Sequence, residues 1–255
     1  MQIPENWTPQ DNSLTNHVIL VTGAALGIGR AVSFALAAQG ATIILLDKDI
    51  PGLNSIYDEI EQAGYPKPAI YPLNLEGASP TDYEALADKL KEEFGQLNGL
   101  LHNAAHLSAL TPIEHIEVEE WYQTIQINLN GPLLLTQACL DLLKETKDSS
   151  VLFTSDSMAT KGRAYWGAYG VAKAGIEGLS QMLADELEDN TTVSVNTINP
   201  GIVHTRLRVQ AYPAEDSSSL AQPKDVVMPY IYLLGPDSKK NTGQKITGQH
   251  FEAQG

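Results

Sequence analysis

Short apolar runs alternate along the chain with longer stretches in which apolar residues recur every three or four positions. The runs VILV (18–21) and ATIILL (41–46) are rich in β-branched residues and predict buried strands. Between them Ile28, Val32 and Leu36 recur at helical spacing, and Gly40 follows where helices commonly end. This order of strand, glycine-rich turn, helix and strand predicts a right-handed βαβ unit.

The same alternation continues to the end of the chain. Helices are predicted at 51–63, 79–94, 117–145 (interrupted at Gly131-Pro132), 166–189 and 223–234. Further strands are predicted at AIYPLNL (69–75), GLLHNAA (99–105), SVLFTS (150–155), VSVNTINP (193–200) and QKITG (244–248). We therefore expect an α/β, Rossmann-like fold, in which a doubly wound parallel sheet carries helices on both faces.

No linker or repeat divides residues 1–255, so the pattern predicts a single domain. Residues 1–16 are a polar lead-in to the first strand. Residues 205–222 show weak periodicity and many small polar side chains, which predicts a mobile loop over a substrate site.

Composition narrows the range of partners. Sixteen Lys and Arg face 31 Asp and Glu, and the net charge of −15 disfavours binding to nucleic acid or to anionic membranes. No apolar run approaches the roughly 18 residues of a membrane span. The single Cys139 excludes an intrachain disulfide and suits a cytoplasmic protein.

A glycine-rich turn, TGAALGIG (22–29), places Gly23, Gly27 and Gly29 between the first strand and its helix. Such a turn lets the backbone approach a pyrophosphate, and the helix N-terminus offers free N–H groups to the negative charge. The spacing is G-x-x-x-G-x-G rather than the commoner G-x-G-x-x-G. In this strand–turn–helix context, nucleotide binding is the favoured interpretation over a purely structural turn.

Asp47 closes the second strand, where a carboxylate can accept hydrogen bonds from both ribose hydroxyls of NAD and would repel the 2′-phosphate of NADP. Lys48 complicates this interpretation, because a lysine beside the ribose could hold that phosphate. NAD is the favoured cofactor, and NADP is the less favoured one.

From Val18 to about Gly248 the chain resembles the short-chain dehydrogenase/reductase family. The resemblance is carried by five segments in family order: TGAALGIG (22–29), HNAA (102–105), Asn128 in INLNG, the pair Tyr169 and Lys173, and NPGIVHT (199–205). The stretches WGAYGVAK (166–173) and TGQHFEAQ (247–254) are most similar to YciK-type bacterial members. Three positions depart from the family pattern, namely His102 and Ala105 in its N-N-A-G element and Asn74 in place of an aspartate near the adenine.

The resemblance implies where each group binds. The implied cofactor contacts are Gly23, Ala25, Leu26, Gly27, Ile28, Gly29, Asp47, Lys48, Asn74, Leu75, Asn103, Ala104, Ala105, Tyr169, Lys173, Pro200, Gly201, Ile202 and Thr205. The implied catalytic residues are Asn128, Tyr169 and Lys173, together with one of Ser155, Asp156 and Ser157. No metal is expected, because the histidines are not at metal-ligand spacing with any cysteine or carboxylate cluster.

Tyr169 and Lys173 are four residues apart and share one face of the predicted helix. A free phenol has a pKa near ~10, too high for an efficient base at neutral pH. A neighbouring ammonium and an oxidised nicotinamide should lower that pKa. In the family, the lysine also holds the nicotinamide ribose, and the asparagine helps a water chain carry protons to solvent.

The family's substrate-polarising serine stands thirteen residues before the tyrosine, and here that position is Asp156. A carboxylate there would repel a developing alkoxide and oppose ionisation of the phenol. A one-residue slip could turn Ser155 or Ser157 inward, Asp156 could be protonated, or the substrate could carry a cation or several hydroxyls. We favour the serine hydroxyl, with Asp156 capping the loop.

Together these features predict a cytoplasmic NAD(H)-dependent oxidoreductase that acts on a small alcohol or carbonyl compound. The family usually assembles through the helices at 117–145 and 166–189, so the resemblance implies a homodimer or homotetramer. The alternative is a redox-impaired nucleotide-binding protein, in which Asp156 has replaced the serine at the cost of turnover.

Overall fold

A computed structural model describes residues 3–4, 7–238 and 241–247. Within them one sheet is formed by β1 (Val18–Thr22), β2 (Thr42–Asp47), β3 (Ala69–Pro72), β4 (Gly99–His102), β5 (Ser150–Thr154), β6 (Ser194–Asn199) and β7 (Gln244–Thr247). The helices are α1 (Gly27–Ala38), α2 (Ile50–Gln62), α3 (Pro80–Phe94), α4 (Val118–Ile125), α5 (Gly131–Glu145), α6 (Gly167–Glu188), α7 (Arg206–Ala211) and α8 (Met228–Leu234). No helix among these residues is long and apolar enough to cross a bilayer.

The strands are all parallel, in the order β3-β2-β1-β4-β5-β6-β7. The chain therefore moves outward from β1 in one direction and then restarts at β4 in the other. Ligands of such sheets bind at the carboxyl ends of the strands, where the order reverses. The doubly wound fold predicted from the sequence is confirmed.

Side chains of the central strands alternate between two cores because successive residues point to opposite faces. Leu20 and Ile44 pack under α3, α5 and α6, whereas Val21 and Leu45 pack under α1, α2 and α8. Cys139 is fully buried in the first of these cores, and burial raises the pKa of its thiol to about 12. Both faces of the sheet are thus covered, as continuous apolar strands require.

The structure refines one predicted boundary. The break predicted at Gly131-Pro132 lies one turn earlier, in the π-helical turn Gln126–Asn130, and Pro132 occupies the first turn of α5. The described part of the polar lead-in packs through Leu14, which is fully buried. Of the stretch TGQHFEAQ, everything after Thr247 lies outside the described residues.

Candidate active site

The carboxyl ends of β1 and β4 bring two of the predicted segments together. Thr22 Oγ1 accepts hydrogen bonds from the backbone N–H groups of Asn103, at 3.0 Å, and Ala104, at 3.1 Å. The side-chain amide of Asn103 donates to the carbonyl of Gly23 at 3.4 Å. The HNAA segment therefore closes on the glycine turn, with Ala105 exposed beside it.

The glycines of the turn are required by this close approach. Gly23 and Gly27 have φ angles of 70° and 56°, which favour glycine. A Cβ on Gly23 would lie 2.8 Å from the Cα of Ala104, and a Cβ on Gly29 would lie 2.6 Å from Nδ2 of Asn103. The turn can be this tight only because no side chain occupies these positions.

The turn leads into an uncapped helix. Leu26 precedes α1 with a half-exposed side chain that offers no cap, and the first turn of α1 contains no acidic residue. The N–H groups at the start of the helix, around Gly27 and Ile28, are therefore suited to an anion. Together with the close glycine backbone, this arrangement fits the pyrophosphate of a dinucleotide.

Asp47 is held beside the turn by two backbone donors. Its Oδ2 accepts from the N–H of Ala25 at 3.1 Å, and its Oδ1 accepts from the N–H of Asp49 at 3.0 Å. Lys48, next in the chain, is exposed. A fixed carboxylate and a free cation therefore stand side by side where the sequence predicts the adenosine ribose.

At the end of β3 the two predicted adenine contacts differ. Asn74 is exposed, and its Oδ1 accepts from the N–H of Glu76 at 3.2 Å, which leaves its NH₂ group available. The side chain of Leu75 is buried in the core. Leu75 can therefore contact a cofactor through its backbone but not through its side chain.

Asn128 lies in the π-helical turn and is 2% exposed. Its Oδ1 accepts from the N–H of His106 at 3.1 Å, and its Nδ2 donates to the carbonyls of His106 and Thr124, both at 2.8 Å. All of these partners are backbone groups. The side chain thus ties the α4–α5 junction to the segment that follows β4.

Tyr169 and Lys173 converge on the end of β5, as the helical spacing predicts. Nζ of Lys173 donates to the carbonyl of Thr154 at 2.8 Å and lies 5.5 Å from the ring centroid of Tyr169. Both residues are 4% exposed. Burial lowers the pKa of Lys173 to about 8, against the opposing charge of Asp156.

At the Ser-Asp-Ser segment the structure differs from our preference for a serine. The Tyr169 hydroxyl donates to Oδ2 of Asp156 at 3.2 Å. Ser155 instead donates to Oε1 of Glu177 at 2.6 Å, and Ser157 donates to Oδ1 of Asp156 at 3.1 Å. Because the N–H of Ser155 continues the ladder to β6 and side chains alternate along a strand, Asp156 is the one that faces the phenol.

The pKa of Tyr169 also shifts in the direction opposite to our expectation. Burial raises it well above 10.0, and the charge of Asp156 raises it further. The ammonium of Lys173 donates its hydrogen bond to the carbonyl of Thr154 and not to the phenol. In the protein without cofactor the phenol is therefore held in its neutral form.

The segment after β6 approaches the glycine turn from the other side. Gly201, which follows Pro200, has a φ of 81° and donates its N–H to Oδ1 of Asn199 at 3.0 Å. Ile202 is 46% exposed. A Cβ on Gly27 would lie 3.7 Å from Cγ2 of Thr205. The predicted cofactor contacts in this segment thus lie along one wall of the cleft.

The region 205–222 is more regular than its sequence predicts. It contains the short helix α7 and a 3-10 turn, Ser217–Ser219. Arg208 hydrogen-bonds both carboxylate oxygens of Glu215, at 2.5 and 2.6 Å, and its guanidinium lies 3.8 Å from the ring centroid of Tyr212. A helix of six residues is too short for a periodic signal. The mobility of this region remains a prediction.

Sequence reasoning missed Glu177 and Lys245. Oε2 of Glu177 pairs with Nζ of Lys245 at 2.5 Å, and the same Nζ donates to Oγ1 of Thr160 at 2.8 Å. Glu177 stands four residues after Lys173, so the spacing 169, 173, 177 along one helical face was the available signal. The ring of Tyr169 also belongs to a small apolar cluster, whose other buried members are Leu107, Met158, Trp166 and Ala211.

Across residues 3–4, 7–238 and 241–247, no group of three or more His, Cys, Asp and Glu side chains could hold a metal ion. His102 is buried, stacks on Phe153 and lies 2.8 Å through Nε2 from Oγ1 of Thr136. Burial lowers its pKa to about 3. It is therefore a neutral core residue in the position that the family gives to an asparagine.

A Rossmann-like fold, a glycine turn and an Asn-Tyr-Lys set at one sheet edge are the features from which the sequence predicts a dinucleotide-dependent oxidoreductase. The family model for short chain dehydrogenases matches residues 17–216. The chain belongs to this family.

Similar proteins agree with this assignment. The uncharacterized oxidoreductase YciK of Escherichia coli K12 is 36% identical over 244 residues, which cover 96% of each chain. A short chain dehydrogenase structure from Pseudomonas syringae superposes with a TM-score of 0.92 at 45% identity, covering 96% of this chain and 99% of that one. Another from Escherichia coli CFT073, complexed with NADPH, has a TM-score of 0.91 at 37% identity and covers 94% of this chain and 100% of its own.

These likenesses confirm the resemblance to YciK-type members. The named relative is an oxidoreductase, and two of the similar solved structures contain NADP or NADPH. The alternative of a redox-impaired nucleotide-binding protein has no support from them.

Proposed function

We propose that this chain transfers a hydride between a nicotinamide cofactor and a small alcohol or ketone, with Tyr169 as the acid/base. The observation that carries the proposal is the convergence of Tyr169 and Lys173 on the end of β5, at the same sheet edge as the glycine turn. When bound, the nicotinamide supplies the carbon that exchanges the hydride. The protein orients the substrate oxygen at the phenol and moves its proton.

Lys173 and Asn128 assist this reaction in different ways. The Lys173 ammonium is buried beside the phenol, where it can hold the nicotinamide ribose and stabilise negative charge on the oxygen of Tyr169. Asn128 is fully engaged with backbone groups of His106 and Thr124. Its part is therefore to keep the wall after β4 in place rather than to contact the substrate.

For the cofactor we propose NAD(H) in preference to NADP(H). The carboxylate of Asp47 is fixed by the backbone of Ala25 and Asp49, and it would repel a 2′-phosphate. Two observations favour NADP(H) instead, namely the exposed Lys48 and the NADPH in the similar Escherichia coli structure. The side chains at 47 and 48 therefore decide the cofactor, and both can be tested.

Fluorescence titration with NADH and NADPH measures this choice directly. We expect the unmodified protein to bind NADH more tightly than NADPH. Asp47→Ala should weaken the affinity for NADH and so reduce the ratio of the two affinities by about tenfold, which corresponds to ~1.4 kcal/mol. Lys48→Met should weaken NADPH alone. A native preference for NADPH that Lys48→Met abolishes would reverse the assignment.

A panel of alcohols with NAD and of ketones with NADH tests the chemistry. Tyr169→Phe should lower the rate by ~10²–10⁴-fold, because the proton-transferring hydroxyl is gone. Tyr165→Phe is the matched control, since Tyr165 lies four residues earlier and is 56% exposed. Equal rates for Tyr169→Phe and the native enzyme would rule out the proposed role of Tyr169.

We also propose a homodimer or homotetramer. Val118 and Tyr122 on α4, and Val171 and Met182 on α6, are more than half exposed although they are apolar. Because α4 and α6 pack against each other, these side chains offer apolar surface of the kind that subunit interfaces bury. Sedimentation velocity should show a dimer or tetramer that Tyr122→Glu dissociates, whereas a native monomer would contradict the proposal. The cytoplasmic location remains a prediction from the sequence.

A further inference from the structure

We propose that Asp156 is the proton acceptor behind Tyr169, so that a neutral phenol and a carboxylate work as one relay. The inference rests on the proposed function and deepens it. It assigns to Asp156 a part in proton transfer that the family's serine at this position does not have, since a serine hydroxyl cannot act as a base at neutral pH.

A continuous path of polar atoms leads from the phenol to solvent. The buried hydroxyl of Tyr169 donates to Oδ2 of Asp156 at 3.2 Å. The other oxygen of Asp156 accepts from Oγ of Ser157 at 3.1 Å, and Ser157 is exposed. Since Asp156 is itself partly exposed, a proton received at Oδ2 can pass from the carboxyl group to water.

The carboxylate is held in this orientation from both sides. Its Oδ1 accepts from the N–H of Met158 at 2.9 Å and so caps the 3-10 turn Ser157–Ala159. On its N-terminal side, Ser155 is anchored to Glu177 at 2.6 Å, and Glu177 is paired with Lys245. A rotation of Asp156 away from the phenol would break the cap.

Two cations lie around the pair formed by Asp156 and Tyr169. From α6, Asp156 faces Tyr169 and Lys173, and from α7 it interacts with Arg208, which is paired with Glu215. Both cations are attracted to the carboxylate of Asp156. Burial, reinforced by the carboxylate, raises the pKa of Tyr169, so that a tyrosine phenolate is not the resting base.

In the oxidative direction the electrons and protons balance as follows. The C–H electron pair of the alcohol leaves as hydride to the oxidised nicotinamide, so the alcohol is oxidised to a ketone and the nicotinamide is reduced. As the carbonyl forms, its O–H proton moves to the Tyr169 oxygen while the phenol's own proton moves to Oδ2 of Asp156. The carboxyl group of Asp156 is partly exposed and then passes that proton to solvent water, which restores the starting state.

The first test needs no substrate. Tyrosinate absorbance is recorded against pH, and the spectrum of Tyr169→Phe is subtracted to isolate Tyr169. Asp156→Asn should lower the pKa of Tyr169, because it removes the negative charge from the phenol. The matched control is Asp216→Asn, since Asp216 caps the 3-10 turn Ser217–Ser219 in the same way but has no contact with the phenol.

The second test is the pH profile of alcohol oxidation. The native enzyme should keep its kcat to a lower pH than the Asp156 variants do, since its carboxylate can accept the proton that the phenol passes on. Asp156→Asn and Asp156→Ser should lose at least ~10-fold at neutral pH and recover at alkaline pH, where the phenol itself ionises. Asp216→Asn should keep the native profile.

Two results would overturn the relay. One is an unchanged Tyr169 titration in Asp156→Asn, and the other is a gain of activity at neutral pH in Asp156→Ser, which would make the carboxylate an obstacle. The proposed function fails separately, if Tyr169→Phe remains fully active. If Tyr169→Phe is inactive but Asp156→Asn keeps the native pH profile of kcat, the relay is excluded and the proposed function stands.

Discussion

The region of the predicted cofactor contacts (residues 18–105, the cofactor half) and the region of the predicted catalytic residues (residues 106–247, the catalytic half) meet at the carboxyl ends of the strands. They differ in the kind of contact that holds each of them together. In the cofactor half, the segments that form the predicted site contact each other through backbone groups and glycines, such as Gly23 against Ala104. In the catalytic half they are made by charged side chains, such as Lys173, Asp156 and Glu177. Backbone contacts tolerate substitution at positions other than these glycines, whereas a charge network changes its chemistry with a single residue.

The departures from the family pattern show this difference. His102 replaces an asparagine in the cofactor half, yet it remains a neutral core residue beside an intact turn. Asp156 replaces a serine in the catalytic half and raises the pKa of the buried Tyr169, adding to the effect of burial. The position of a substitution therefore decides whether it affects packing or proton transfer.

The largest expected effect is a loss of NADH affinity when the glycine turn of the cofactor half is altered. Gly29→Ala would place a Cβ against the carbonyl of Gly23 and the amide of Asn103, and the turn would have to open. We expect NADH affinity to fall by ~100-fold or more, which corresponds to ~2.7 kcal/mol. Calorimetric titration measures this, with Gly178→Ala as a control, since Gly178 is also helical but has open space around it. Similar affinities for both variants would contradict the steric argument.

The next prediction disturbs the catalytic half without touching the phenol. Glu177→Ala frees Ser155 and leaves Lys245 without its ion pair, so the segment that carries Asp156 loses its anchor. We expect kcat at neutral pH to fall roughly 30-fold, a typical cost of small misplacement, and its pH profile to move towards alkaline pH.

NADH affinity should stay unchanged in Glu177→Ala, since the glycine turn, Asp47 and Lys173 keep their own contacts. Lys91→Ala provides the comparison, because it breaks the exposed pair with Glu145 far from the site. A loss of melting temperature without any change of the pH profile would show that Glu177 is merely structural.

A smaller effect is expected on the pH dependence of stability, through the buried His102 at the end of β4. Its pKa in the folded protein, about 3, lies below the ordinary 6.5, so protonation at low pH favours unfolding. The stability it contributes is present above pH 6.5 and is lost as the pH falls towards 3. Between these pH values, uptake of this one proton on unfolding should lower the equilibrium constant for folding by up to about tenfold for each unit that the pH falls.

Urea unfolding at pH 7 and pH 4.5 checks this, as a difference between the native protein and His102→Asn. The variant should lose less stability between the two pH values than the native protein does. His115→Asn removes an exposed histidine and should behave as the native protein. Identical pH dependence in all three proteins would exclude His102 as the titrating group.

The smallest expected effect concerns the rim of the catalytic half. Arg208→Lys removes the two-pronged contact with Glu215 and the stacking on Tyr212, which a lysine cannot reproduce. We expect KM for the substrate to rise about threefold with kcat unchanged, since a partly exposed ion pair contributes ~1 kcal/mol or less. Arg206→Lys, next to it and exposed, should have no effect. A lower kcat would instead connect Arg208 with the proton relay.

Much of the fold was predictable from local pattern. The runs VILV and ATIILL became β1 and β2, and the spacing of Tyr169 and Lys173 placed both on one face of α6. The π-helical turn around Asn128 was not predictable, because helical periodicity hardly changes across one extra residue. Nor was α7, which is shorter than two turns.

The sequence by itself determined the order of strands and helices, the glycine turn and the position of the Asn-Tyr-Lys set, because these depend on local spacing and on family likeness. Only the tertiary structure decided which of Ser155, Asp156 and Ser157 faces Tyr169 and how the pKa of the phenol shifts. The reason is that Glu177, Lys245 and the cap at Met158 act on this segment from distant parts of the chain or through space. Burial and charge are sums over neighbours in three dimensions, and no spacing along the chain contains them.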